Sequence, residues 1–172
     1  MSNLNIEKLN PDSFAPFGDV IHTNQAAKEH SINYGNTIRF HDLAEIDTLN
    51  KNGKTIINIF RSNPIPQPIE IKLLERHPLS SQAFVPLGSE PYLVIVAPKG
   101  DLDESKIKIF LADSSQGVNY SAGTWHHFSL ALNQASDFLV IDREGEGKNC
   151  DEEILNRPFF IEFDNNGELK SR

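Results

Sequence analysis

The sequence predicts a mainly β protein, a small β-barrel or double-sheet sandwich with a few short helices. Three observations carry this. Short runs rich in β-branched and aromatic residues recur along the chain, punctuated by Pro, Gly, Asn and Asp. Helical periodicity is sparse, and many short strands at this spacing pack as a barrel or a sandwich. The 172 residues suffice for one domain, taken as residues 1–172, with a core of its own.

Asn10-Pro11-Asp12-Ser13-Phe14 reads as a capped helix start with proline at the first helical position. Residues 37–41 and 55–61 read as strands joined through a hairpin-type turn at Asn52-Gly53, with a turn or two of helix over 43–49. Pro64, Pro66 and Pro68 mark an extended connection or a sheet edge, because proline cannot donate to a ladder. Further strands are expected over 69–74, 82–86, 92–97, 127–132, 138–142 and 159–163. Residues 101–112 are ambiguous: Ile107, Phe110 and Leu111 fit a helical face, whereas Ile107, Ile109 and Leu111 fit strand alternation. Residues 99–108 and 144–153 are charge-rich and read as solvated loops.

The formal net charge is −8, and no Lys/Arg cluster interrupts the acidity. This argues against nucleic acid, which needs a basic surface. An anionic small substrate remains compatible, since it needs only one or two local arginines. Cys150 is the single cysteine, so no intrachain disulfide can form, which fits a reducing compartment. The N-terminus shows no basic region followed by an apolar one, and runs such as 93–97 are too short to span a bilayer. The expectation is a soluble cytoplasmic protein with no membrane partner.

Two segments concentrate residues that carry chemistry. Residues 117–127 hold two glycines, Tyr120, Trp125 and the pair His126-His127; residues 75–86 hold Glu75, His77 and Gln82. Strand parity lets only one of His126 and His127 face an interior, and it puts Glu75 and His77 on one side. His77, Gln82 and His126, with Glu75 nearby, could form one polar pocket. Imidazole suits first-row transition metals, and it titrates near neutrality, so a metal site and metal-free acid/base work both fit, as does a structural role. Tyr120 and Trp125 could floor that pocket. A second group is Tyr34, Arg39 and His41; Arg39 and His41 share a strand face opposite Phe40. Arg39 is a natural carboxylate clamp if it faces inward, and Arg61 is the other candidate.

Several of these residues lie in motifs that resemble a known family. Phe14-Ala15-Pro16-Phe17-Gly18-Asp19-Val20-Ile21, Arg39-Phe40-His41-Asp42-Leu43-Ala44, Glu75-Arg76-His77-Pro78-Leu79, Gln116-Gly117-Val118-Asn119-Tyr120, Gly123-Thr124-Trp125-His126-His127 and Ser136-Asp137-Phe138-Leu139-Val140 are similar to segments of the ureidoglycolate lyases of allantoin degradation, in the same order. The resemblance implies a cupin-like β-barrel, a homodimer, and cleavage of (S)-ureidoglycolate to glyoxylate and urea. It also implies a divalent metal, Ni2+ in particular, held by Glu75, His77, Gln82 and His126. The general cupin pattern has Pro-x-Gly-x-x-His where this chain has Ser121 to His126, and two histidines and a glutamate where it has Glu75, His77 and Gln82. On this reading His77, His126 and Gln82 are catalytic, while Arg39 or Arg61, with Tyr34, His41, Tyr120 and Trp125, bind the substrate. Rival expectations are a hydrolase releasing ammonia, a non-catalytic cupin that binds a small carboxylate, and another metal-dependent cupin.

Overall fold

The computed structural model describes residues 5–26 and 28–163. The strands in chain order are β1 (Ile6–Lys8), β2 (Gly18–Ile21), β3 (Lys28–Ile32), β4 (Thr37–His41), β5 (Lys54–Ser62), β6 (Ile69–Arg76), β7 (Gln82–Pro86), β8 (Tyr92–Ala97), β9 (Lys108–Ala112), β10 (Gly117–Tyr120), β11 (Trp125–His126), β12 (Leu130–Ala131), β13 (Ser136–Glu144) and β14 (Asp151–Ile161). One α-helix, α1 (Pro11–Phe14), and short 3-10 turns complete the described residues. The strands form a seven-stranded sheet in the order β1-β9-β8-β11-β6-β14 with β12 also on β8, and a five-stranded sheet in the order β2-β10-β7-β13-β5. β3 and β4 form a two-stranded hairpin. The mainly β, double-sheet expectation therefore holds.

Strand β8, Tyr-Leu-Val-Ile-Val-Ala, is buried at every position. An uninterrupted apolar run is what a strand covered on both faces requires. Its alternate side chains enter two clusters. Tyr92, Val94 and Val96 join Phe14, Phe17, Phe84, Phe110, Tyr120 and Phe138 in the space between the sheets. Leu93, Ile95 and Ala97 join Ile109, Trp125, Leu130, Ile69 and Ile71. The first cluster is aromatic: Phe110 stands edge-on to Phe14 at 5.7 Å, and Tyr92 edge-on to Phe138 at 5.1 Å. Such pairs add roughly 0.5–1.5 kcal/mol beyond their burial.

The capped start at Asn10 is present: its side chain accepts from the Ser13 amide at 3.0 Å, and Phe14 is fully buried. In 101–112 the strand reading prevails. β9 sends Ile109 into one cluster and Phe110 and Ala112 into the other, because both faces of that strand are covered. Three expectations need correction. Residues 43–49 form no helix; they run as an irregular segment, and Glu45 is anchored by its amide to Asp19 and by its carbonyl to Asn119. Asn52-Gly53 does not join a hairpin: β4 pairs with β3, and β5 pairs with β13. Residues 144–153 are only partly loop, since β13 runs through Glu144 and β14 begins at Asp151; their charged side chains point away from the core while the backbone pairs.

Candidate functional site

The site forms where the two sheets meet. β11 lies between β8 and β6, with His126 opposite both Val96 and Glu75. His77 follows the end of β6. Its carbonyl accepts from the Gly123 amide at 2.9 Å, which ties the turn before β11 to the turn after β6. From the other sheet, Tyr120 on β10 faces Gln82 on β7, so these two side chains share a face. The Tyr120 ring stacks on the His126 ring, with centroids 4.2 Å apart and planes within 3°. The His77 ring lies 5.2 Å from that of His126. Gln82 is held by its amide nitrogen, which donates to the Asp142 carboxylate at 3.2 Å.

Each imidazole has its Nδ1 committed. His77 Nδ1 donates to the Asn149 carbonyl at 2.6 Å, and His126 Nδ1 donates to the His127 carbonyl at 3.2 Å. A carbonyl only accepts, so in the neutral form of each ring the proton sits on Nδ1. Both Nε2 atoms are then bare lone pairs, and both are buried without a partner. Gln82 Oε1 is buried and unpartnered as well. Orphaned buried acceptors are uncommon in folded proteins and call for an explanation. Asn149 also fixes the turn after β6, accepting from the Leu79 amide at 2.8 Å and donating to Ser80 Oγ at 2.8 Å.

Burial, with His77 nearby, pushes His126 down to about 3; burial pushes His127 down to about 4. Burial raises Glu75, and Glu152 and Asp142 push the same way against His77. One ligand atom each from Glu75, His77 and His126 lie within 4.8 Å of one another. A histidine donating Nδ1–H to a carbonyl while its Nε2 stays bare is the usual arrangement of a metal-ligating imidazole. The donor set of two imidazoles, a carboxylate and an amide oxygen therefore fits a first-row divalent cation.

These shifts set an acid sensitivity in the chelator-treated protein. Above the ordinary histidine value of 6.5, folded and unfolded chains bind the same number of protons at His126 and His127. Below it the unfolded chain binds more, so stability is full above that pH and declines on acidification towards the folded values. The expected slope is about 1.4 kcal/mol per pH unit for each histidine. Urea unfolding of the metal-free protein should show its midpoint falling as pH drops below 6.5, and His127→Gln should reduce the slope. A flat midpoint in that window would contradict the neutral, buried assignment.

The structure brings together Glu75, His77, Gln82, Tyr120 and His126. The other expected residues lie elsewhere. Trp125 points to the opposite face of β11 from His126, packs in the second core cluster and donates to the Gly100 carbonyl at 2.9 Å, with the Arg76 guanidinium 4.5 Å over its ring. Adjacent strand residues face opposite ways, which is why it cannot line the same pocket as His126. Arg61 is bound in a two-pronged ion pair to Asp137, at 2.7 and 2.8 Å, on the exposed edge strand β5. Tyr34, Arg39 and His41 belong to the β3–β4 hairpin, where Tyr34 and Arg39 are exposed. Sequence reasoning missed Asn149 and Asp142, which position His77 and Gln82. Asn149 sat in a stretch that reads as a charged loop, so its carbonyl carried no signal.

The fold and site define a double-sheet β protein with a buried histidine–carboxylate centre between its sheets. The ureidoglycolate lyase family profile matches residues 1–162. A ureidoglycolate lyase of Burkholderia mallei is 52% identical over 164 residues, covering 95% of this chain and 96% of its own. One from Pseudomonas syringae pv. tomato is 52% identical over 153 residues, covering 88% and 89%, and one from Pseudomonas savastanoi pv. phaseolicola is 48% identical over 167 residues, covering 96% and 98%. A solved structure of RmlC from Streptococcus suis is a partial likeness, with a TM-score of 0.42 and 10% identity over 55% of this chain and 46% of that one. The chain belongs to the ureidoglycolate lyase family. No helix among the described residues is long and apolar enough to cross a membrane.

Proposed function

We propose that this protein is a cytoplasmic, homodimeric enzyme that cleaves (S)-ureidoglycolate to glyoxylate and urea at the Glu75–His77–His126 centre. The observation that supports this most directly is the grouping of Glu75 with two histidines whose Nε2 atoms are buried and unpartnered, in a chain that matches the family along its length. The reacting carbon bears a hydroxyl, a carboxylate and a urea nitrogen. The hydroxyl loses its proton, its electrons form the carbonyl of glyoxylate, the C–N bond breaks, and the nitrogen takes a proton to leave as urea. No water is added.

The side chains divide this work by their environments. Without a cation, His77, which is only partly buried, takes the hydroxyl proton on Nε2, a lone pair that a bound cation would claim instead. His126, held near 3, is too weak a base for that step near neutrality and serves through its lone pair as a ligand or hydrogen-bond acceptor. Glu75, raised by burial, holds a proton more readily than an ordinary carboxyl and is suited to deliver it to the leaving nitrogen. Gln82 Oε1, steered by Asp142, accepts from an N–H of the ureido group. Tyr120 closes the side of the site by stacking on His126.

Glu75, His77 and His126, with Gln82 completing the set, would hold a divalent cation, nickel by family resemblance. When bound, it would supply Lewis acidity that lowers the hydroxyl pKa. The expected result is that exhaustive chelation lowers turnover, that Ni2+ or another first-row cation restores it, and that Glu75→Gln weakens uptake of the metal measured by equilibrium dialysis. Unchanged turnover in protein shown to be metal-free would remove the cation from the reading and leave the proton transfers to the side chains.

A further inference from the structure

The proposed substrate is a carboxylate, yet Glu152 stands opposite Glu75 in the β6–β14 ladder, and Asp142 holds the Gln82 side chain at the same site. None of the ion pairs among the described residues brings a lysine or arginine to Glu75, Asp142 or Glu152. Arg76, next to Glu75 in sequence, is committed to Asp151, to the Gly100 carbonyl and to the face of Trp125. A cation seated at Glu75 would still leave the acidic groups of Asp142 and Glu152 beside an anionic substrate.

The β3–β4 hairpin has the opposite character. Among the described residues its strands pair only with each other, and each described residue from Lys28 to Arg39 is exposed. An isolated two-stranded hairpin is marginal in water, so it gains from a surface to lie on. In register, Lys28 faces His41 and His30 faces Arg39, which gathers four basic side chains on one face. The His30 and His41 rings meet edge-on at 5.4 Å. At the tip, Asn33 and Tyr34 take left-handed backbone angles, with φ of 53° and 59°, and the Tyr34 ring is fully exposed. An aromatic side chain held out on a sharp turn is a common interface anchor.

We infer that the β3–β4 hairpin of one copy lies against the Glu75, Asp142 and Glu152 wall of a second copy and supplies Arg39 as the clamp for the substrate carboxylate. The occupant is a second copy because the basic face and the acidic wall are complementary and belong to the same chain, so a two-fold exchange satisfies both at once. Guanidinium pairs with carboxylate through two parallel hydrogen bonds, which fixes the substrate as well as attracting it. The inference deepens the lyase reading above and rests on it for the identity of the carboxylate.

The test is complementation between Arg39→Ala and His126→Ala. Arg39→Ala alone is expected to lower kcat/KM about a hundredfold, mainly through KM, with partial recovery in Arg39→Lys. When the two variants exchange subunits, a heterodimer regains one whole site, so a random mixture should recover about a quarter of wild-type activity. If Arg39 acts within its own chain, the mixture stays inactive, and that result in a demonstrated heterodimer would overturn the inference, as would a fully active wild-type monomer in sedimentation. A readout independent of turnover separates this from failure of the lyase reading. Carbodiimide coupling of mixed 14N and 15N protein should join Lys28 of one copy to Glu152 of the other, and coupling confined to single copies would refute the docking even if the substrate were something else.

Discussion

His126→Ala is expected to lower kcat/KM by about 10–100-fold, through loss of a ligand or acceptor, while leaving a folded protein. The ring is 1% exposed, stacked on Tyr120, and carries one of the two orphaned lone pairs. Truncation leaves a void beside Tyr120 and lowers the melting temperature, so circular dichroism and a thermal scan must accompany the kinetics. Turnover near wild type in the folded variant would take His126 out of the site altogether.

Gly18→Ala is expected to cost several kcal/mol, near the top of the range for single substitutions, and to give little folded protein. Gly18 has φ of 146°, and a Cβ there would run into the Asn119 carbonyl oxygen, backbone that cannot turn aside. The damage reaches the site, because Gly18 pairs with Tyr120 in the ladder and Tyr120 is the ring that holds His126 flat. Gly35→Ala provides the contrast: its φ is 89°, but nothing lies within 4 Å, so only the backbone penalty of about 1 kcal/mol applies. Equal stability losses at the two positions, measured by chemical unfolding, would contradict the steric account.

Much of the fold can be read from the chain because local pattern and burial agree. The continuous apolar run at β8 and the capped Asn10-Pro11 start both occur where the pattern places them. Parity puts Glu75 and His77 on one side and leaves only one of His126 and His127 to face an interior; the structure groups Glu75, His77 and His126 but buries both histidines of the pair, because the strand ends at His126. The same rule, applied to Trp125, should have removed it from the pocket, since it precedes His126 on one strand. Pairing partners are less legible. Asn52-Gly53 has the composition of a hairpin turn, yet the chain continues into a strand whose partner is some eighty residues away. Long-range pairing is decided by which faces bury together, and no local signal reports it. Arg61 and Arg39 look alike as sequence candidates; only the structure shows that Arg61 is neutralised by Asp137 while Arg39 has been left on an exposed hairpin.

The central claim is the bond that breaks. Purified protein should be given fresh (S)-ureidoglycolate, with glyoxylate, urea and ammonia followed together and the spontaneous rate subtracted. Glyoxylate and urea appearing in equal amounts, with no ammonia, is the predicted result. Ammonia in place of urea would move the chemistry to the ureido carbonyl, and an absence of products above the spontaneous rate, with first-row cations supplied, would contradict the assignment of a lyase.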